Sequence, residues 1–516
     1  MRLETKNDWR YLAIAFALPV ICFAMELMFG NTPSDSSVFR YIGWRMSCGA
    51  CAYTEVWDCK GPILLLLNEL GYILLPSGDF GPGLVFLVLW IASLLLLRRI
   101  VADINPVAAG PAVLAFSAMG VGVGEMMFQN CQEIVAVLFA LCAWSVESLA
   151  KDVGARKRSF VVGLCVGGAF MTKANLAASG LALAVKWLCD FMHERDRRLL
   201  TRRIVFSALG FISSIGSVCA LFLPSGLRSM LDGWILYNLL ERCIGVEMSW
   251  SQWWLDYLFA KTNYSQFPSW CLPLCVTGSV LVLATRIQGC VPFKVWLVAE
   301  LVMAVVSKGF WNHYLTVAFV PLSILVALNI AESHSVKIMR HVFVAWLAAL
   351  TLFNAHALAK GVRESAMWPC ARNAEIAEIG QIILPGTRVV ACGSHGTAEL
   401  MTRLRLTTPQ KYVTWLFWIN NTSQVRKQEI QGEFHDACAD DGIRWLLTDI
   451  PIEEVGDLAR PDTRRLLDGF TLYRELKNLP VHIYVRRTLV SDETILAPSS
   501  VNGGKQLPCL TSVARR

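Results

Sequence analysis

Three residues able to do chemistry stand close together near the N-terminus: Asp35, Asp58 and Lys60. They lie in DSSVFRYIGWRMSCGACAYTEVWDCKGP, residues 35–62, a stretch that is long, charged and rich in aromatic residues. Paired carboxylates can act as a general base or hold a divalent cation. Asp and Lys two residues apart can bracket a ligand of mixed charge. Plainer roles are open to each. Ser34–Asp35–Ser36 ahead of an amphipathic run is a helix N-cap signal, and Asp58–Cys59–Lys60–Gly61–Pro62 also fits a solvated turn. Gly61–Pro62 fixes the start of the next helix in either case.

Other polar residues interrupt apolar sequence further on. Glu125 and Glu133 flank Gln129, Asn130 and Gln132, which serve equally as helix caps. Lys173 and Asn175 sit in an apolar stretch, where a lysine marks a functional site or a buried pair. As a compact charge, Lys173 suits a lipid phosphate. Lys308, His313 and Tyr314 can join it, or can simply snorkel and form part of an aromatic belt. Glu26 and Glu300 lie within apolar spans, and Glu300 needs a partner or a proton. Most of the 17 cysteines fall in apolar spans as small hydrophobes. Cys48, Cys51 and Cys59 do not, and are either free or paired in a disulfide. The lone Cys48–Cys51 spacing, with no second CxxC and no surrounding βαβ pattern, is weak support for redox or zinc chemistry. If a divalent metal takes part, Asp35, Asp58 and Glu133 are its candidate ligands.

The elements that must position these residues are set by composition. The chain has 516 residues, 55% hydrophobic and only 17% charged, against about 25% charged in a soluble protein. The deficit is confined to residues 1–360. Eleven apolar spans there suit about 30 Å of hydrocarbon. They lie near 11–29, 82–97, 106–122, 131–149, 159–172, 174–190, 204–223, 268–285, 291–308, 313–331 and 341–358. The stretch 62–76 is apolar but short and reads as an interfacial or re-entrant helix. Eleven spans put the basic clusters Arg98–Arg99, Lys151–Arg158, Arg195–Arg203, Arg286–Lys294 and Lys337–Arg340 on one side, the cytoplasm. The loops at 30–81, 123–130, 224–267 and 309–312 then face outward with everything after about residue 360. The first span carries no cleavage site of small residues and reads as an uncleaved helix. Loop 224–267, with Trp234, Trp250, Trp253 and Trp254, reads as an interfacial segment on the outer leaflet. The net charge of +7 lies in these clusters and does not point to nucleic acid.

Residues 361–490 form a separate, ordinarily polar region. A helix is expected over 370–384 and 424–439, with further helix over 453–467. Strands are expected at Arg388–Cys392, 443–448 and 482–487. This alternation predicts a small α/β domain. Residues 491–516 are rich in Ser, Gly and Pro and read as disordered. Gly393–Gly396 has the look of a phosphate loop without a full fingerprint. No internal repeat is visible, which argues against a solenoid and weakens a secondary-transporter reading.

Together these residues resemble the GT-C superfamily of integral membrane glycosyltransferases, in the branch of the protein O-mannosyltransferases and lipid A aminoarabinose transferases. The first-loop pattern carries the resemblance: Asp35, then Phe39, Tyr41 and Gly43, then Tyr53, Trp57, Asp58, Lys60, Gly61 and Pro62. Lys173–Ala174–Asn175, His313–Tyr314 and Pro321 fit it, as does an outer α/β domain. Cys48–Gly–Ala–Cys51 departs from it. The resemblance implies a polytopic α-helical fold and transfer of a sugar from a polyprenyl-phosphate donor to an extracytoplasmic acceptor (a glycan, glycolipid or protein), with inversion. It makes Asp35 the base that activates the acceptor hydroxyl. Asp58 and Lys60 shape the site and hold the donor, Glu133 is the acidic residue of the second loop, and Lys173, His313 and Tyr314 meet the lipid phosphate. The competing reading is a multi-pass transporter or lipid flippase, which would place its ionisable residues along a path through the membrane. A third is a structural partner in an envelope assembly machine, with the tail as a docking module.

Overall fold

A computed structural model describes residues 8–29, 35–76, 80–122, 132–149, 154–173, 178–223, 226–241, 271–285, 287, 289–306, 315–332, 340–352, 369–420 and 422–487. Its N-terminal part is all helix. In order, the helices are α1 (Asp8–Phe29), α2 (Asp35–Ser47), α3 (Pro62–Leu74), α4 (Phe80–Ile104), α5 (Ala109–Gly122), α6 (Gln132–Leu149), α7 (Ala155–Thr172), α8 (Ser179–Glu194) and α9 (Arg197–Leu221). Then come α10 (Leu227–Leu231), which runs on as a π-helix over Asp232–Glu241, α11 (Cys271–Ala284), α12 (Val291–Val306), α13 (Thr316–Glu332) and α14 (Arg340–Leu352). A helix lies in the described part of each of the eleven predicted apolar stretches. Among the described residues, two of these helices, α4 and α9, are long and apolar enough to cross a membrane. The short helix α3 packs between α2 and α4.

Small residues let the helices approach closely. A methyl group on Gly163 would lie 1.9 Å from the carbonyl oxygen of Ser207, and one on Gly210 would lie 2.0 Å from that of Phe160. This is how α7 and α9 pack backbone to backbone, as small residues permit between apolar helices. At one end of this group, Glu147 of α6 is buried against Arg158 of α7 (3.6 Å), Lys186 of α8 (3.9 Å) and Arg203 of α9 (3.4 Å). Two of the predicted cytoplasmic clusters, and Lys186 between them, therefore converge on one buried carboxylate, which offsets the cost of burying them.

Residues 369–487 build a four-stranded sheet in the order β1 (Val389–Cys392), β2 (Trp445–Thr448), β4 (His482–Arg486), β3 (Phe470–Glu475). β1 and β2 are parallel, and the other two pairings are antiparallel. All residues of β1 and β2 are buried, as expected of strands covered on both faces. The helices here are α15 (Pro369–Gly380), α16 (His395–Leu404), α17 (Trp415–Asn420), α18 (Gln424–Ala439), α19 (Ile452–Leu458) and α20 (Pro461–Leu467). The predicted helix at 453–467 is thus two, broken before Pro461, and α16, α17 and β3 are additions to the predicted elements.

One hydrophobic core runs from this sheet into the first loop. It joins Tyr41, Tyr53, Val56 and Trp57 to Trp234, Tyr412 and the strands. Trp234 is buried against Phe170 at a ring separation of 5.4 Å. This corrects its expected place on the outer leaflet. Trp250, Trp253 and Trp254 lie outside the described residues.

Candidate active site

Helix α2 begins at Asp35. Residues four apart share a helix face, so Asp35 and Phe39 look the same way, and Lys60 meets both. Its Nζ lies 3.4 Å from Asp35 Oδ2 and 5.8 Å from the centre of the Phe39 ring. A cation over an aromatic face is held there electrostatically. The Asp35 side chain is 33% exposed, the most open of the predicted carboxylates that the structure describes.

Lys60 is held by a loop tied at every step. Asp58 Oδ1 accepts the Lys60 backbone N–H at 2.9 Å. Tyr53 Oη donates to the Lys60 carbonyl at 2.6 Å, and Asn238 Nδ2 donates to the Cys59 carbonyl at 2.7 Å. Tyr53 itself adopts φ +65°, a left-handed conformation that a bulky residue holds only when its surroundings fix it. Asp58 is buried, and burial pushes its carboxyl up to about 6, with the Lys60 charge opposing. Trp57 packs on Tyr237 and Tyr412 and lies under the Arg426 guanidinium, which also binds Asp232 at 2.8 Å. The Trp57 backbone N–H donates to the Lys411 carbonyl. The C-terminal region thus clamps the loop.

Gly61 fixes the loop's depth. A methyl group there would lie 2.2 Å and 2.3 Å from the carbonyl oxygens of Thr172 and Met171. Those are the last residues of α7, and the next is Lys173, whose Nζ lies 3.3 Å from the buried Glu133. Two lysines therefore flank one tight backbone contact. Lys308, His313, Tyr314, Glu125 and Asn175 lie outside the described residues, as does the side chain of Glu26. Glu300 accepts a hydrogen bond from Trp296 Nε1 at 3.0 Å, which supplies the partner it requires. Cys48, Cys51 and Cys59 are not joined to one another in a disulfide.

The structure adds a residue that the sequence reading passed over. His395 Nε2 lies 3.0 Å from Asp35 Oδ1. His395 opens α16 directly after β1, within the Gly393–Gly396 segment. That segment has a partial likeness to a phosphate loop but lacks the full fingerprint. Asp449 already occupies its donors, accepting from the backbone N–H groups of Ser394, Gly396 and Thr397 and from both hydroxyls. Burial works to lower the His395 imidazole, but Asp35 and Asp449 outweigh it and hold it above its ordinary value. The signal available was topological: a histidine just past the carboxyl end of a parallel strand is where α/β sheets place functional side chains.

Among the described residues no three His, Cys, Asp or Glu side chains converge to hold a metal ion. Asp35 faces Lys60 and His395, Asp58 accepts a backbone N–H, and Glu133 faces Lys173. As arranged, these three carboxylates are not a metal-binding set.

The sequence matches no protein-family model, and no curated protein is significantly similar to it. Solved structures do match. The crystal structure of ArnT from Cupriavidus metallidurans bound to undecaprenyl phosphate superposes with a TM-score of 0.59 at 14% identity, covering 94% of this chain and 99% of that one. The apo form of the same protein gives 0.58, again at 14% identity, covering 93% and 98%. The chain has the GT-C fold. Because the match covers nearly all of both chains, the GT-C fold here takes in the helical part and the C-terminal sheet alike. It bears out the fold that the resemblance implied.

Proposed function

We propose that this protein is a membrane glycosyltransferase that moves a sugar from a polyprenyl-phosphate donor to a hydroxyl on an extracytoplasmic acceptor, a glycan, glycolipid or protein, with inversion. One observation carries the reading. Asp35 presents an accessible carboxylate beside the Lys60 ammonium, at the loop whose motif resembles GT-C enzymes, in a chain with their fold. A base and a phosphate-binding cation are what the reaction needs together. The acceptor O–H proton passes to Asp35 as the acceptor oxygen bonds to the anomeric carbon. The bond from that carbon to the phosphate oxygen breaks, and its electron pair leaves on the polyprenyl phosphate. Phosphate is a good leaving group, so cations suffice and no strong acid is required. Lys60 and Lys173 are the cations assigned to it, with His313 and Tyr314. Asp58 shapes the loop that carries Lys60.

The topology we propose has eleven crossings, with residues 361–490 outside and the membrane being the cell's inner or plasma membrane. The convergence of basic residues on Glu147 at the opposite end of α6 and α7 from Glu133 and Lys173 supports this sidedness. A lipid-linked donor cannot leave the bilayer, so its site has to lie at the interface.

Asp35→Asn tests the assignment. In membranes supplied with a polyprenyl-phosphate sugar, release of polyprenyl phosphate by this variant is expected to fall about 10²–10⁴-fold, the usual contribution of a general base, with normal insertion. Unchanged release would remove Asp35 from the mechanism. A transporter would instead lose function on Glu300→Gln.

A further inference from the structure

We infer that His395 is a positioning residue for Asp35, so that the C-terminal α/β region completes the active site. This rests on the reading of Asp35 as the base.

A carboxylate turns easily about its last torsion, whose preferences are broad. Lys60 alone cannot fix it, being a point charge on a flexible stem. With its proton on Nε2, His395 donates to Oδ1 while Lys60 meets Oδ2. Two partners on different oxygens set the carboxylate plane.

The histidine is itself held in place. Asp449 binds the residues on both sides of it. A methyl group on Gly393 would lie 1.9 Å from Thr397 Oγ1 and 2.5 Å from Asp449 Oδ1, so the turn is closed around that carboxylate. Helix α16 is then fastened to the helix that carries Asp35: Ser37 Oγ donates to buried Glu399 at 3.1 Å, and Glu399 binds Arg403 at 3.0 Å. The Arg405 guanidinium, at the end of α16, lies 5.3 Å from the Trp44 ring of α2 and 5.2 Å from the Tyr72 ring of α3. Base and orienter thus sit on two helices locked to each other. A base oriented by a third group is a recurring arrangement in catalysis. The ring of His395, 34% exposed, leaves the site open to an acceptor.

The test uses the full-length protein in vesicles with a polyprenyl-phosphate sugar. His395→Ala is expected to lower kcat about 10²-fold, the effect of a misplacement of about 1 Å, with the KM for donor unchanged. His395→Gln keeps a donor within reach of Oδ1 and is expected to restore most of kcat. Wild-type kcat in His395→Ala, with Asp35→Asn inactive, overturns the role of His395 and leaves Asp35 as the base. A loss in His395→Ala that Gln does not restore, with a lowered Tm in both variants, overturns it too, because the histidine is then only a docking contact. If Asp35→Asn is also fully active, the reading of Asp35 itself has failed.

Discussion

Gly61→Ala probes how finely the site depends on one backbone contact. The added methyl would sit 2.2 Å from the Thr172 carbonyl oxygen and 2.5 Å from its carbon. Ordinary contact begins near 3.4 Å, so the loop and the end of α7 must part by about 1 Å. Both neighbours are backbone, and no side chain can swing away. Overpacking of this kind costs about 1–3 kcal/mol. Lys60 moves with the loop, and lengthening its 3.4 Å contact with Asp35 by that amount weakens the pair by at most about 1 kcal/mol at an effective dielectric near 20. Asp35 is a third exposed, so screening reduces even that. Geometry is the larger effect: a misplacement of about 1 Å costs about 10²-fold in turnover. Sugar transfer from a polyprenyl-phosphate donor, measured beside Tm, is the assay. Gly154→Ala is the control, because nothing lies within 4 Å of its added methyl, and it is expected to leave both within about 0.5 kcal/mol of wild type. Wild-type turnover and Tm in Gly61→Ala would show that the loop is not seated on α7 and would refute this account of the site.

Three further outcomes follow from the charges. Burial pushes the Asp58 carboxyl up to about 6 from an ordinary 3.8, with the Lys60 charge opposing. Its contribution to stability is therefore full below about pH 4 and lost as pH rises through 6, and Asp58→Asn is expected to raise Tm at pH 7.5 more than at pH 4. Asp58→Asn keeps an acceptor for the Lys60 N–H, so its donor KM is expected to stay near that of wild type at pH 4. Lys173→Met removes the ammonium from buried Glu133 and is expected to cost about 3 kcal/mol; Lys173→Met with Glu133→Gln should recover most of the Tm but not the donor affinity. Glu399 is buried, yet Arg403, Arg40 and Arg372 outweigh burial and hold its carboxyl below its ordinary 4.5. Its stabilisation is thus present above that range and lost as pH falls. Glu399→Gln should loosen α16 from α2, read as faster tryptic cleavage at pH 7.5 and a Tm difference from wild type that shrinks toward pH 4.

What the sequence disclosed and what it hid divide along a physical line. The apolar helices were legible because hydrocarbon imposes a length and an exclusion of charge that appear directly in composition. Asp35, Asp58 and Lys60 were legible because they share one loop with a dense motif. β1 and β2 were legible as apolar runs, whereas β3 was not, because FTLYRE alternates weakly and is largely exposed. His395 was hidden because its partner lies 360 residues away. The glycines around it only partly resemble a phosphate loop, and the fold shows that Asp449, 53 residues beyond Gly396, accepts from the amides. The pairing of Lys173 with Glu133 was likewise hidden, since α6 and α7 meet in space and not in sequence.

These long-range contacts explain why the first loop can be so polar and still have one conformation. A loop is ordered only by partners that offset its conformational entropy, and this one gains them in part by burying Tyr53, Val56 and Trp57 in the shared core. Here the partners come from three separate places: the end of α7 beneath Gly61, Asn238 and Tyr237 beside Trp57 and Cys59, and the C-terminal region above, through Tyr412, Arg426, Glu399 and His395. Removing any one leaves the other two, so single docking variants should lower activity in steps and not abolish folding. The sheet therefore does more than cover the outer face. Its β1–α16 turn brings His395 to Asp35, so that under the proposed reading the sheet and the helix bundle build one site between them.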